Sequence, residues 1–246
     1  MPSLNGGTGM IYVVGDIHGQ LEQLETALER IEKDGGGRVI FLGDLIDRGA
    51  NSRRVIETLM QGQAEGRDWH VLKGNHDRLA ARFLQPEPMY DPQILIGLDW
   101  LAPKIGGREM LASYGVMVTD QMRYYQIHAE AMAAVPQAHI DFLDGLLPSF
   151  DAGDFFCAHA GIRPGVPLAE QTEDDLCWIR NVFLDDPRPH PKLIVHGHTA
   201  VMAPEHHGNR INLDSGAAFG RDLTAAVFEG TDCYVLSGQG RVALLP

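Results

Sequence analysis

The sequence predicts an α/β fold with a largely parallel sheet, on three observations. Short apolar runs alternate with stretches of helical periodicity over the N-terminal third of the 246 residues. The runs are apolar at successive positions, as in strands covered on both faces, and do not alternate with polar residues. Each run stops at a glycine followed by charged or amide side chains, the kind of residue that gathers at the carboxyl edge of a parallel sheet.

Taken in order, "MIYVVGD" (10–16) reads as a buried strand. Leu21, Leu24, Leu28 and Ile31 then recur at helical spacing until "DGGG" (34–37) ends the helix. "RVIFLGD" (38–44) is the second strand, and Asn51 or Ser52 can cap a helix whose apolar positions are Val55, Ile56, Leu59 and Met60. "WHVLKGNHD" (69–77) is a third strand with polar residues at its end. Strand, helix and strand at this length make βαβ units with parallel pairing. From Arg78 to about Phe150 the pattern becomes helical, in "RLAARFL", "ILIGLDWLAPKI" and "AHIDFLDGLL", broken by "PEPMYDP" and "KIGGRE". We expect a helical insertion (about 78–150) that caps the core of a single domain spanning 1–246. Strands return in "DFFCAHAGI", "KLIVHGHT", "RINLDSGA", "LTAAVFEG" and "CYVLSG". One short helix is expected over Asp175 to Phe183, and the last three strands are expected to be antiparallel hairpins.

Composition narrows the function. No apolar run approaches the ~20 residues that cross a bilayer. "MPSLNGGTGM" lacks a basic segment followed by an apolar one, so a cytoplasmic protein with no membrane partner is expected. Cys157, Cys177 and Cys233 contain no CxxC pair, which argues against a disulfide framework or a cysteine zinc site. A formal charge of −13, with nothing that makes a basic stripe, argues against a general nucleic-acid binder. It also means that any anionic substrate must be attracted locally.

Five strand ends carry ligand-type side chains: Asp16 and His18 in "GDIHG", Asp44 and Asp47 in "GDLIDRG", Asn75 and His76 in "GNHD", His159 in "HAG", and His198 in "HGHT". Each motif alone is weak, since a lone "HAG" is more often a core histidine and a lone "GNH" a turn. The combination is specific. Residues His18 and Gly43 are separated by 24 positions, and so are Gly49 and Gly74, room for one helix and the next strand. A mixture of carboxylate, imidazole and amide oxygen suits Mn²⁺, Fe or Zn²⁺ better than Mg²⁺ or Ca²⁺.

D-x-H, G-D-x-x-D-R-G and G-N-H-D together resemble the signature of the phosphoprotein phosphatase (PPP-type) group of calcineurin-like metallophosphoesterases, over Tyr12 to about Phe228. "WLAPKIGGREMLASYG" and "LIVHGHT" resemble its bacterial members, among them serine/threonine phosphatases and symmetrical diadenosine tetraphosphatases. The resemblance implies a four-layer αββα sandwich with two divalent metal ions. It implies that Asp16, His18 and Asp44 hold one ion and that Asn75, His159, His198 and a bridging Asp44 hold the other. His196 is the rival of His198. His76 would be the general acid, Asp47 its orienting partner, and Arg48 and Arg180 the phosphate ligands.

The chemistry is coherent. Two metals ~3.5–4 Å apart can share a hydroxide and clamp an in-line displacement at phosphorus. Arginines match the equatorial phosphoryl oxygens, and a poor leaving group needs the proton that His76 can give. We expect a phosphomonoesterase with Mn²⁺ as the leading metal and a phosphorylated protein or small phosphoester as substrate. The alternative is a dinucleoside polyphosphate hydrolase. That substrate would need a second site, for which the insertion offers Lys104, Arg108 and Arg123 with Trp100, Tyr114, Tyr124 and Tyr125. Two remote readings complete the set. One is a non-catalytic metal-binding protein. The other is a cysteine-dependent phosphatase in which "CAHAGIR" (157–163) supplies Cys157 as nucleophile and Arg163 as phosphate ligand.

Overall fold

The computed structural model describes residues 10–246; residues 1–9, on which much of the expectation of no leader rests, lie outside the described residues. β1 (Ile11–Val14), α1 (Leu21–Lys33), β2 (Arg38–Phe41), α2 (Ser52–Ala64) and β3 (Trp69–Val71) follow the predicted βαβ order. β1 pairs parallel with β2, and β2 with β3. α3 (Asn75–Phe83), α4 (Gly107–Ser113), α5 (Tyr124–Ala134) and α6 (Gln137–Asp144) come next, then β4 (Ser149–Asp151) and β5 (Phe155–Ala158). α7 (Glu173–Trp178), α8 (Asn181–Leu184), β6 (Leu193–His196), β7 (Glu205–His206), β8 (Arg210–Asn212), β9 (Ala225–Glu229), β10 (Asp232–Ser237) and β11 (Gly240–Leu244) complete the order.

The strands form two sheets, ordered β11-β10-β9-β1-β2-β3 and β4-β5-β6-β8-β7. Strand parity assigns each side chain to a layer. Tyr12, Val14, Val39 and Phe41 face α1 and α2, while Val13 and Ile40 turn the other way to meet Phe155, Cys157, Val195 and Ile211 of the second sheet. Phe156, Ala158 and Ile194 point outward again, onto Leu176, Ile179 and Phe183 of the α7–α8 segment. The result is the αββα sandwich, and because the central strands are covered on both faces they read as continuous apolar runs. Fully burying one such side chain contributes ~1.5–3 kcal/mol. Apolar residues from Leu79 to Leu146 join the same cluster as those of α1 and α2. No helix among the described residues is long and apolar enough to cross a membrane.

Local expectations are corrected in several places. "ILIGLDWLAPKI" (94–105) is a series of turns, not a helix. Pro92 precedes it and Pro103 lies within it, Gly97 takes φ 85°, and Leu95 and Ile96 are exposed, so its apolar spacing does not mark a buried helical face. Asn75 and His76 open α3 and are not the end of the third strand. Asp77 holds that start by accepting the Gly74 amide at 2.9 Å and the Leu45 amide at 3.0 Å. Asn51 occupies the N-cap of α2 without a side-chain hydrogen bond, and the Ser52 hydroxyl instead accepts the Asp47 amide at 3.1 Å.

The single helix expected over 175–183 is two short helices, because Ile179 and Arg180 leave helical backbone and turn the exposed Arg180 out between them. The last three expected strands do not form one set of hairpins. β8 lies in the second sheet, parallel to β6 and antiparallel to β7, while β9 and β10 pair antiparallel in the first sheet, where β11 extends them. The turn residues around 214–216 are visible in the sequence, but the change of sheet is set by packing.

The strand ends leave no room at Gly74, where a Cβ would overlap the Asp44 amide and carboxylate. Gly74→Ala should therefore lower unfolding free energy by about 1–3 kcal/mol through overpacking and also displace Asp44. Gly66 has φ 79° and open space around a Cβ, so Gly66→Ala should cost only the ~1–2 kcal/mol of left-handed backbone. Urea unfolding of both variants checks this: a loss of metal-dependent activity confined to Gly74→Ala is expected.

Candidate functional site

The carboxyl ends of β1, β2, β3, β5 and β6 converge, and the predicted residues meet there. Asp16, His18, Asp44, Asp47, Asn75, His76, His159 and His198 are all buried. His18 (φ 48°), Asp44 (φ 48°), Asp47 (φ 70°), Arg48 (φ 64°) and His198 (φ 66°) are the non-glycine residues with left-handed backbone among the described residues, and every one is a predicted site residue. Left-handed backbone costs ~1–2 kcal/mol per residue, so packing and hydrogen bonds impose it here.

Asp44 is central. Its Oδ2 is 3.4 Å from His18 Nε2, and its Oδ1 is 3.4 Å from His159 Nε2 and accepts the His76 amide at 2.9 Å. Two groups of mutually close donors share it: His18, Asp44 and His76, and Asp44, His159 and His198. The first group contains His76 where the family resemblance puts Asp16. Asp16 Oδ2 accepts the His198 amide at 3.0 Å, and its Oδ1 has no partner. His198, not His196, reaches the cluster; the His196 Nδ1 faces the Gly197 carbonyl and its Nε2 faces Arg210.

The hydrogen bonds show what the cluster can hold. The His159 Nδ1 lies 2.9 Å from the Leu42 carbonyl and the His18 Nδ1 lies 2.8 Å from the Ile46 carbonyl. A carbonyl only accepts, so both Nδ1 atoms carry hydrogen and both Nε2 atoms present lone pairs. Burial pushes His18 down to about 3 and also lowers His159 and His198, so these rings are neutral near pH 7. The His159 Nε2 lone pair therefore faces the Asn75 Oδ1 at 3.1 Å with no proton between them. Burial, with Asp214 and Asp44 alongside, raises Asp16 well above the ordinary carboxylate range. Converging lone pairs, crowded carboxylates, and unpartnered Asp16 Oδ1 and His198 Nε2 make a nitrogen–oxygen donor set that fits divalent cations.

The remaining site residues surround this set. His76 Nδ1 donates to Asp47 Oδ2 at 2.7 Å, which also accepts from Trp100 Nε1 at 2.9 Å. The Arg48 guanidinium reaches His18 Nε2 at 2.9 Å and His76 Nε2 at 3.0 Å. Arg180 Nη1 donates to the Thr199 hydroxyl at 3.3 Å. Burial lowers the Arg180 pKa, and the carboxylates of Asp44, Asp214 and Asp16 work against that shift.

Sequence reasoning missed several residues. Trp100, offered above as a base-stacking face, is 4 % exposed and serves Asp47 instead. Tyr114 is also buried, paired with His139, and Arg108 is held by the Leu101 carbonyl and Asp120. Asp214 follows β8 and is pushed up to about 6 by burial, with the nearby Asp44 adding to the rise. Asp77, the last letter of "GNHD", is pushed up to about 7 by burial and by Asp44. The motif could have flagged Asp77, but nothing in the local sequence around Asp214 or Trp100 marks them.

A family model described as calcineurin-like phosphoesterase matches residues 9–237. The chain belongs to this family. A protein of Anoxybacillus flavithermus named bis(5'-nucleosyl)-tetraphosphatase PrpE [asymmetrical] is 27% identical, with 88% of this chain and 89% of that protein covered. The Bacillus subtilis protein of the same name is 26% identical, covering 88% of this chain and 89% of its own length. Among solved structures, one described as "a putative diadenosine tetraphosphatase" superposes with a TM-score of 0.65 at 23% identity, over 100% of this chain and 96% of that one, and shows the shared fold. The chain is thus a metallophosphoesterase, a hydrolase of phosphoric esters.

The cysteine mechanism is overturned. Cys157 is fully buried in β5 and burial raises its thiol well above the ordinary range, while Nε and Nη2 of Arg163 are paired with Asp175. Burial likewise raises Cys177, and it pushes Cys233 up to about 12. A colorimetric disulfide reagent should modify none of the three thiols in the native protein and all three in guanidinium. Hydrolysis should survive Cys157→Ser and disappear in chelator. Rapid native labelling of Cys157 with matching loss of activity would restore the cysteine mechanism.

Proposed function

We propose that the protein is a metal-dependent hydrolase of dinucleoside polyphosphates that cleaves asymmetrically. Two buried donor groups sharing Asp44, with Arg48 beside them, are the observation that carries the phosphoryl chemistry. The names of the PrpE relatives support the substrate class, and they favour the alternative from the sequence over its leading reading of a phosphoprotein substrate. They also favour asymmetrical over symmetrical cleavage.

Asp16, His18 and Asp44 would hold one divalent cation, and Asp44, Asn75, His159 and His198 the other, with Mn²⁺ favoured by the mixed donors. When bound, such cations supply Lewis acidity at the phosphoryl oxygens and lower the pKa of water. The protein's own groups do the rest. Arg48 and Arg180 hold the phosphoryl oxygens, countering the −13 charge where the substrate sits. His76 gives a proton from Nε2 to the leaving oxygen. Burial alone would lower the His76 pKa, but Asp44 and Asp47 outweigh it and raise it above the ordinary value. The proton on Nε2 requires Arg48 to give up its 3.0 Å contact there, so substrate binding by Arg48 and arming of His76 belong together. Asp47 and Trp100 fix the ring so that Nε2 faces the reacting oxygen.

With Mn²⁺ and diadenosine tetraphosphate, chromatography should show ATP and AMP in equal amounts, and chelation should abolish both. Two ADP would mean symmetrical cleavage, and a phosphoserine peptide cleaved with a tenfold higher kcat/KM would restore the phosphoprotein reading. His76→Asn should lower kcat far more for an alkyl phosphomonoester than for p-nitrophenyl phosphate. The excess should lie within the ~10²–10⁴-fold range of proton transfer, because nitrophenolate leaves without help. Equal losses on the two esters would remove His76 from the acid role.

A further inference from the structure

Phe219 is a large apolar side chain left open beside the most charged part of the molecule. It sits at the end of a 3-10 turn (Ala217–Phe219) and is 59 % exposed. The Arg48 guanidinium carbon lies 5.4 Å from its ring centroid and that of Arg221 5.5 Å. The same Arg48 guanidinium contacts His18 and His76, so one side chain spans the distance from the catalytic imidazoles to the ring. The turn is locked. Gly216 (φ 80°) and Gly220 (φ 78°) bracket it, Arg221 Nε donates to the Ser215 carbonyl at 2.6 Å, and the Ser215 hydroxyl is within 2.7 Å of the Thr224 hydroxyl. A rigid, exposed aromatic with two adjacent guanidiniums has the chemistry of a base-stacking platform, a flat apolar face with cations for the neighbouring phosphates.

We propose that Phe219, flanked by Arg48 and Arg221, stacks the nucleobase of the nucleoside whose 5'-phosphate is attacked. The proposal rests on the nucleoside polyphosphate reading above and adds a base subsite outside the insertion. Because Arg48 alone spans from ring to reaction centre, a base stacked on Phe219 would bring its own 5'-phosphate, the α-phosphorus, to the site. The water oxygen bonds to that phosphorus, and the bond from it to the α–β bridging oxygen breaks. The bridging oxygen leaves on the triphosphate with the electron pair and takes the His76 proton, and the proton lost by the water resets His76. The products are a nucleoside monophosphate and a nucleoside triphosphate.

The competing role for the ring is to shield and position Arg48, which would affect every phosphoester alike. Full-length, Mn²⁺-loaded wild type, Phe219→Ala, Phe219→Leu and Phe219→Tyr are compared on diadenosine tetraphosphate and on base-free glycerol 3-phosphate, with thermal melting to confirm folding. Adenosine contact is read independently on metal-free protein by saturation-transfer NMR. Phe219→Ala and Phe219→Leu should raise KM for the dinucleotide roughly 5- to 150-fold, well beyond the change for glycerol 3-phosphate, and weaken saturation of the adenine protons. Phe219→Tyr should restore both. A dinucleotide KM that rises no more than that for glycerol 3-phosphate, with adenosine contact unchanged, would overturn the subsite while leaving the functional reading intact. Wild-type inactivity on diadenosine tetraphosphate would overturn that reading and the subsite with it.

Discussion

Asp44 ties the ends of three elements into one point. Its carbonyl accepts the amides of Ile17 and His18 at 3.0 and 2.8 Å, which locks the loop after β1 onto the end of β2. Its carboxylate accepts the His76 amide, which locks the start of α3, and it stands between the Nε2 atoms of His18 and His159. The left-handed backbone at Asp44 and the bare Cα of Gly74 follow from that convergence, since no side chain fits between them. The site is where the sheet's hydrogen bonding stops and side-chain bonding replaces it.

This arrangement concentrates unfavourable terms in one place. Buried carboxylates at Asp16, Asp44, Asp47, Asp77 and Asp214 lie close together, and burial with like-charged neighbours raises four of them. The backbone meets part of this through the amides of His198, Leu45 and Gly74. Arg48 and Arg180 meet part of the rest, and divalent cations complete the compensation in the function proposed here. In that function an acidic chain could act on an acidic substrate, because the cations together with Arg48 and Arg180 would offset the carboxylates at the strand ends.

The irregular segment after α3 shares in the chemistry. Trp100 donates to Asp47, and the Gly106 carbonyl accepts the Arg48 amide at 3.2 Å. Arg78 of α3 pairs with Asp91 and Asp174, so the helix that carries His76 is braced against both the turns at 91 and the start of α7. The position of His76 therefore depends on contacts from residues far along the chain.

The sequence by itself determined the parallel βαβ core, because strands buried on both faces must be apolar throughout and helices buried on one face must repeat at 3.6 residues. It also determined the positions of Asp16, His18, Asp44, Asp47, Asn75, His76, His159 and His198, since short motifs at strand ends carry their own context. The tertiary structure decided the rest. The apolar spacing of 94–105 satisfies a helix pattern, yet two prolines and a left-handed glycine make it turns, and only those turns deliver Trp100 to Asp47. β8 crossed to the second sheet, which brought Asp214 and Phe219 to the site from a stretch with no local signature. Where a stretch carries no motif, proximity between residues a hundred or more positions apart is set by how two sheets pack.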